Sequence, residues 1–187
     1  MTGKFIGKIV LIFSIVVVLS TSTLAQDSPR RFYFGPELQV YPTGIIPGLR
    51  LEYLLTKSSF ISVRAAVQII DHRDLGVHDD ETGTGYGYSI GYHRKFGREE
   101  RPWSMGVRCD IWHNSIDWMD DTPLRFGNSQ INVFQPTVIL GYDILPSTNN
   151  VIRPSIGFGY EWNAITNGEP TGEGPILLVG IYFGIEL

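Results

Sequence analysis

From residue 26 onward apolar and polar positions alternate with a period of two, and no stretch keeps the helical period. Eight stretches, near residues 32–41, 47–56, 60–71, 84–96, 102–113, 130–143, 151–163 and 175–187, read as strands. Each matches or slightly exceeds the roughly 9–11 residues that a tilted strand needs to cross a bilayer. In the third, Ile61, Val63, Ala65, Val67 and Ile69 share one face against Ser62, Arg64, Ala66 and Gln68. The fourth sets Tyr86, Tyr88, Ile90 and Tyr92 against Gly87, Ser89, Gly91 and His93. The fifth sets Trp103, Met105, Val107, Cys109 and Ile111 against Ser104, Gly106, Arg108 and Asp110. The seventh opposes Ile152, Pro154, Ile156, Phe158, Tyr160 and Trp162 to Arg153, Ser155, Gly157, Gly159 and Glu161, and the last turns Leu177, Val179, Ile181, Phe183, Ile185 and Leu187 one way. A barrel in lipid demands this pattern, apolar outside and polar or small inside.

The connections alternate as well. Lys57 to Ser59, Gly97 to Arg101 and Pro146 to Asn150 are short, whereas His72 to Gly83, Asn114 to Ser129 and Ile165 to Gly174 are longer. Short periplasmic turns and longer outer loops are the habit of outer-membrane barrels. Pro42 to Pro47 is the exception, short where a loop is expected. An even strand number puts both termini on the periplasmic side, beside the assembly machinery. Pro136 predicts a bulge in the sixth strand, because proline cannot donate to a ladder.

A soluble secreted barrel would alternate too, with the apolar face inward. That arrangement would crowd three tyrosines and an isoleucine of the fourth strand into a small core. Aromatics near strand ends, namely Phe32, Phe34, Tyr41, Tyr92, Trp103, Tyr142 and Trp162, instead suit girdles at two lipid interfaces. The sequence therefore predicts an all-β fold, an eight-stranded antiparallel up-and-down transmembrane β-barrel.

The start of the chain fits secretion. Lys4 and Lys8 precede an apolar run from Ile9 to Leu19, and Thr23-Leu24-Ala25 offers small residues for cleavage. Residues 1–25 are predicted to be a signal peptide and residues 26–187 the barrel domain. Removing the two lysines leaves 13 Lys+Arg against 19 Asp+Glu, a net charge of −6. No basic patch is present to attract nucleic acid. The lone Cys109 forms no internal disulfide and lies far from a lipid-anchoring position, so a closed sheet in lipid must supply stability.

This combination, with a terminal strand presenting Phe183, Ile185 and Leu187 on one face, resembles the small outer-membrane β-barrel superfamily of the OmpA membrane domain and OmpX, the "outer membrane protein beta-barrel domain" or porin family. The resemblance is architectural, spans the mature chain, and departs from the family in ending on leucine rather than an aromatic. It implies residence in the cell outer membrane, with outer-membrane lipids and the barrel assembly machinery as partners. A non-catalytic role in envelope integrity or surface interaction, through loops that meet an unidentified surface ligand, follows from the same analogy. The alternative is a porin-like barrel that binds or passes small solutes.

Inward positions collect Glu37, Gln39, Arg50, Glu52, Arg64, Arg108, Asp110, Arg153, Glu161 and Glu186. Charges of both signs in a narrow lumen must pair, since desolvation is otherwise prohibitive. Eight strands leave room for side chains alone, so an interlocked ion-pair plug is expected. Acid in the stretches Asp71 to Glu81 and Asp117 to Asp121 reads as solvated loop, and without an Asp-x-Asp-x-Asp-Gly pattern no metal or other cofactor is expected. His113 and Ser115, two apart on a strand, resemble the His-x-Ser pair of PagL, a lipid A deacylase, with Asp117 or Asp120 as the third member. The pair falls in the fifth strand, away from that enzyme's position near the chain end.

Overall fold

The computed structural model describes residues 31–73, 76–96, 103–147 and 149–187. The predicted signal peptide and its cleavage point after Ala25 lie outside the described residues. Among the described residues nine strands form: β1 Phe32–Tyr41, β2 Gly44–Thr56, β3 Ser59–Arg73, β4 Asp80–Phe96, β5 Trp103–Asp121, β6 Leu124–Tyr142, β7 Ile144–Ser147, β8 Asn150–Asn167 and β9 Gly174–Glu186. All pairings are antiparallel. β1 to β6 pair in chain order, β6 pairs with β8, β8 with β9, and β9 returns to β1, so eight strands close a ring. The short β7 continues the line of β6 past Asp143 and hangs on β8.

Outward side chains on these strands are apolar and exposed: Phe34, Leu38, Leu49, Val63, Tyr88, Ile111, Phe158 and Leu177 are representative. A soluble domain does not expose so continuous an apolar surface. Aromatic pairs mark both edges of the belt. Trp103 meets Tyr142 edge-on with centroids 4.9 Å apart, and Phe32 lies 4.8 Å from Tyr53, at the end holding the first and last residues of the ring. Tyr160 lies 4.7 Å from Trp162 at the far end.

The lumen is narrow enough that large inward residues sit opposite glycine. In the cross-strand register Trp112 faces Gly87, Arg108 faces Gly91, His93 faces Gly106 and Trp118 faces Gly127. A Cβ at Gly87 would lie 2.3 Å from the Trp112 ring. Gly87→Leu is therefore expected to destabilise the barrel by about 1–3 kcal/mol or more through overpacking, read as a lower urea midpoint for refolding in detergent.

Several sequence expectations are corrected. The stretch Asn114 to Ser129 is not a loop: β5 and β6 run through it to a two-residue turn at Thr122-Pro123. The reason is an inversion of the pattern. Beyond Ile111 and Phe134 the inward residues Trp112, Ile116, Trp118, Ile131 and Val133 are apolar, with Asn114 and Ser129 the polar exceptions, and the outward His113, Ser115, Asp117, Asn128, Gln130 and Asn132 are polar, with Met119, Leu124 and Phe126 exposed only near the tip. The hairpin has left lipid and entered water, where a strand hides its apolar face on the inside. Likewise Asp71 to Arg73 end β3, and Asp80 and Glu81 begin β4.

The β6–β8 register shifts at Asn132/Val133, not at Pro136. Pro136 stays in register with Cys109 of β5, and only its pairing toward β8 is interrupted. Tyr41 is no girdle residue: it is buried inside, where its hydroxyl accepts a hydrogen bond from Gln68 Nε2 at 3.0 Å.

Candidate functional site

Every strand of the ring sends a polar or aromatic side chain into the lumen, because the inward phase of each carries it. Glu37 of β1 takes Arg50 of β2 at 2.8 Å and Arg64 of β3 at 3.2 Å, with Arg108 of β5 at 4.0 Å. Asp110 takes Arg64 at 2.6 Å and Arg108 Nε at 2.9 Å, and accepts the Ser89 hydroxyl of β4. Gln39 Oε1 accepts from Arg64 at 2.6 Å and Arg108 at 3.0 Å. Toward the terminal end Arg50 reaches Glu52 at 2.8 Å, and Arg153 of β8 bridges Glu52 and Asp143. Lys95 adds a 2.7 Å bond to Asp143 at the rim. Four buried guanidinium groups thus meet four buried carboxylates, a balance that lets fixed charge persist away from water.

Aromatic faces complete the layer. Arg153 lies 4.5 Å over Phe60 and Arg50 5.1 Å over Tyr182. His93 stacks on Phe60 at 4.6 Å.

Of the residues expected in the lumen, Glu37, Gln39, Arg50, Glu52, Arg64, Arg108, Asp110 and Arg153 are brought into this one network. Glu186 sits apart at the rim with Arg31, 3.3 Å away. Glu161 faces inward near the far end beside Gln68 and His72, on a pocket of about 280 Å³ shared with Tyr41 and Glu173. Sequence reasoning placed Ser89 on the inward face without giving it a role, did not single out Asp143 or Lys95, and missed a second layer altogether. Above the charges Ile46, Ala66, Ile70, Trp112, Ile116, Ile131, Val133, Ile176 and Leu178 pack as an apolar core inside the barrel.

A third arrangement caps the far end. The Glu81 carboxylate, expected in a solvated loop, is fully buried. It accepts the backbone N–H groups of Val77 at 2.8 Å, His78 at 3.1 Å and Gly172 at 3.2 Å, and it meets His72 Nδ1 at 3.2 Å. One side chain thereby ties the β3–β4 and β8–β9 connections together across the mouth. Burial pushes its carboxyl up, but the hydrogen bonds from His72, His78, Gly172 and Val77 outweigh that and hold it below the ordinary value. His78 stacks on Trp118 at 4.2 Å, meets Asp120 Oδ1 at 2.9 Å and approaches the Pro170 carbonyl oxygen at 3.1 Å. Arg125 holds the other Asp120 oxygen at 2.7 Å.

His113 and Ser115 share the outward face of β5 but bond elsewhere. His113 Nδ1 meets Asn132 Oδ1 at 2.7 Å, and Ser115 Oγ accepts from Asn128 Nδ2 at 3.0 Å. The same amide donates to Asp117 at 2.8 Å, and Asp120 is turned to His78 and Arg125. No His–Ser–acid relay is assembled among the described residues. No cluster of three or more His, Cys, Asp or Glu placed to hold a metal ion occurs among them either.

An eight-stranded up-and-down ring with an apolar belt outside and a polar, filled lumen defines a small transmembrane β-barrel of the outer-membrane type. The chain is similar in structure to Neisserial surface protein A (NspA), with a TM-score of 0.58 at 11% identity over 86% of this chain and 98% of that one. The N-terminal barrel of Pseudomonas aeruginosa OprF matches with a TM-score of 0.49 at 15% identity over 83% and 97% of the two chains. Ail of Yersinia pestis matches at 0.46 and 13% over 82% and 97%. No protein-family model and no curated protein matches the chain. The resemblance drawn from the sequence to small outer-membrane barrels holds at the level of the fold.

Proposed function

We propose that the protein is a non-catalytic, non-conducting barrel of the bacterial outer membrane, acting in envelope integrity and surface interaction through its far, extracellular end. The observation that carries this reading is the occupied lumen: an ion-pair layer, an apolar layer and the Glu81 cap follow one another along the axis. A solute path would have to break charge pairs that are costly to separate. In planar bilayers the folded protein is expected to give no stable nanosiemens openings, and steady openings of that size would overturn the reading. A heat-modifiable gel shift of protein taken from outer-membrane fractions tests the barrel and its location together. The scattered partners of His113 and Ser115 support a non-catalytic role, so Ser115→Ala is expected to leave the lipid A mass spectrum of the producing cells unchanged.

A further inference from the structure

We infer that the outer wall at the foot of the β5–β6 extension binds the uncharged sugar headgroup of an outer-leaflet glycolipid, an inference that rests on the membrane-barrel reading above. The wall of this barrel is uneven in height. On one side β1 turns into β2 at Pro42-Thr43, directly above Val40 and Ile45, which still belong to the apolar belt. On the other, β5 continues beyond Ile111 to Asp121, ten residues or about 33 Å of strand. A lipid packed against the belt of β4, β5 and β6 therefore has its headgroup beside protein rather than beside open water.

The residues at that height form two rows across the strands. Tyr86, His113 and Asn132 are aligned in register, and Thr84, Ser115 and Gln130 form the next row outward. Together with Asn167 they line a groove of about 550 Å³, flanked by the apolar Val67 and Ile165. Its chemistry is specific. The lining carries no Lys, Arg, Asp or Glu, so it lacks the cations by which proteins hold phosphate. Amides and hydroxyls, which both donate and accept, match the hydroxyl groups of a neutral sugar.

The site is also partly set in advance. Asn132 fixes the His113 ring at 2.7 Å, and the Tyr86 ring leans on it with centroids 5.2 Å apart. Tyr86 is 56% exposed and offers an apolar ring face with a polar tip, the combination that suits a membrane interface. The side chains of Thr84, Gln130 and Asn167 have no protein hydrogen-bond partner among the described residues and are free to meet a ligand. Val67 and Ile165 flank the first row on either side, in register with Tyr86 and Asn132, and the row below it, Tyr88, Ile111 and Phe134, belongs to the belt against which the acyl chains would lie. The His-x-Ser pair is thus read as part of a recognition surface.

The test uses the full mature barrel in detergent with monogalactosyldiacylglycerol, phosphatidylglycerol or diacylglycerol of the same acyl chains. Retained lipid is measured by native mass spectrometry. Wild-type protein is expected to retain the galactolipid about tenfold better than diacylglycerol. The Gln130→Leu/Asn132→Leu variant should fall to the diacylglycerol level while keeping its heat-modifiable gel shift. Equal retention of galactolipid and diacylglycerol by folded wild-type protein would overturn the inference, as would a preference for phosphatidylglycerol, which marks an anion site. Displacement of the galactolipid by free galactose at equal concentration would overturn it in favour of a soluble saccharide. Absence of the gel shift in wild-type protein would remove the membrane-barrel reading itself.

Discussion

Glu37→Gln is expected to destabilise the barrel by about 3–5 kcal/mol, the cost of leaving buried charge without its partner. The glutamine keeps the shape of the side chain, so the loss reports charge rather than packing. Once Glu37 is neutral, Arg64 and Arg108 share only the Asp110 carboxylate, and Arg50 keeps only Glu52. Urea titrations of refolding in detergent measure the change. The double variant Glu37→Leu/Arg64→Met removes one charge of each sign and is expected to recover a large part of the loss, because an apolar pair of similar volume does not need solvation. A loss in the double variant equal to the sum of the losses in Glu37→Leu and Arg64→Met alone would show that the pair is not coupled.

Glu81→Gln is expected to loosen the far end by about 2–4 kcal/mol without unfolding the belt. A carboxylate that accepts three backbone N–H groups loses several charge-assisted bonds at once. Amide exchange at Val77, His78 and Gly172 should accelerate by about a hundredfold, while exchange in the belt stays slow. The same site makes the cap sensitive to acid. Its carboxyl titrates below the ordinary value when folded, so its contribution is complete above the unfolded pKa of about 4.3 and is lost as pH falls through the lower folded value. Wild-type cap exchange should therefore rise in acid below about pH 4. In the glutamine variant this acid dependence is expected to disappear.

The sequence discloses the belt because lipid imposes one rule on all eight strands, and period-two alternation carries that rule directly. The network residues Arg64, Arg108 and Asp110 are legible for the same reason, as charges in the inward phase of apolar strands. The β5–β6 extension is not legible. Past Ile111 the apolar residues change sides, so Trp112, Ile116 and Trp118 break the phase that Val107, Cys109 and Ile111 set up, and a broken phase reads as loop. Knowing where lipid ends requires the closed ring. Glu81 was hidden by the same error, since an acid within a supposed loop is taken as solvated. Its partners Val77, His78 and Gly172 are backbone donors, which leave no trace in residue identity. Asp143 closes the predicted sixth strand on its inward phase, but its partners Lys95 and Arg153 come from other strands, and nothing in residue identity ties them together.

The tall side of the barrel also bears on time. Asp117, Asp120, Asp121 and Arg125 travel at the tip of the β5–β6 hairpin, and insertion must carry them through hydrocarbon once. Moving an arginine across the bilayer midplane costs about 2–4 kcal/mol, with less for each acid. Withdrawal must meet the same barrier in reverse, with the belt's exposed apolar surface added to it. A charged tip on the far side of the hydrocarbon would act as a barb, adding to the cost of withdrawal a barrier that equilibrium stability does not contain.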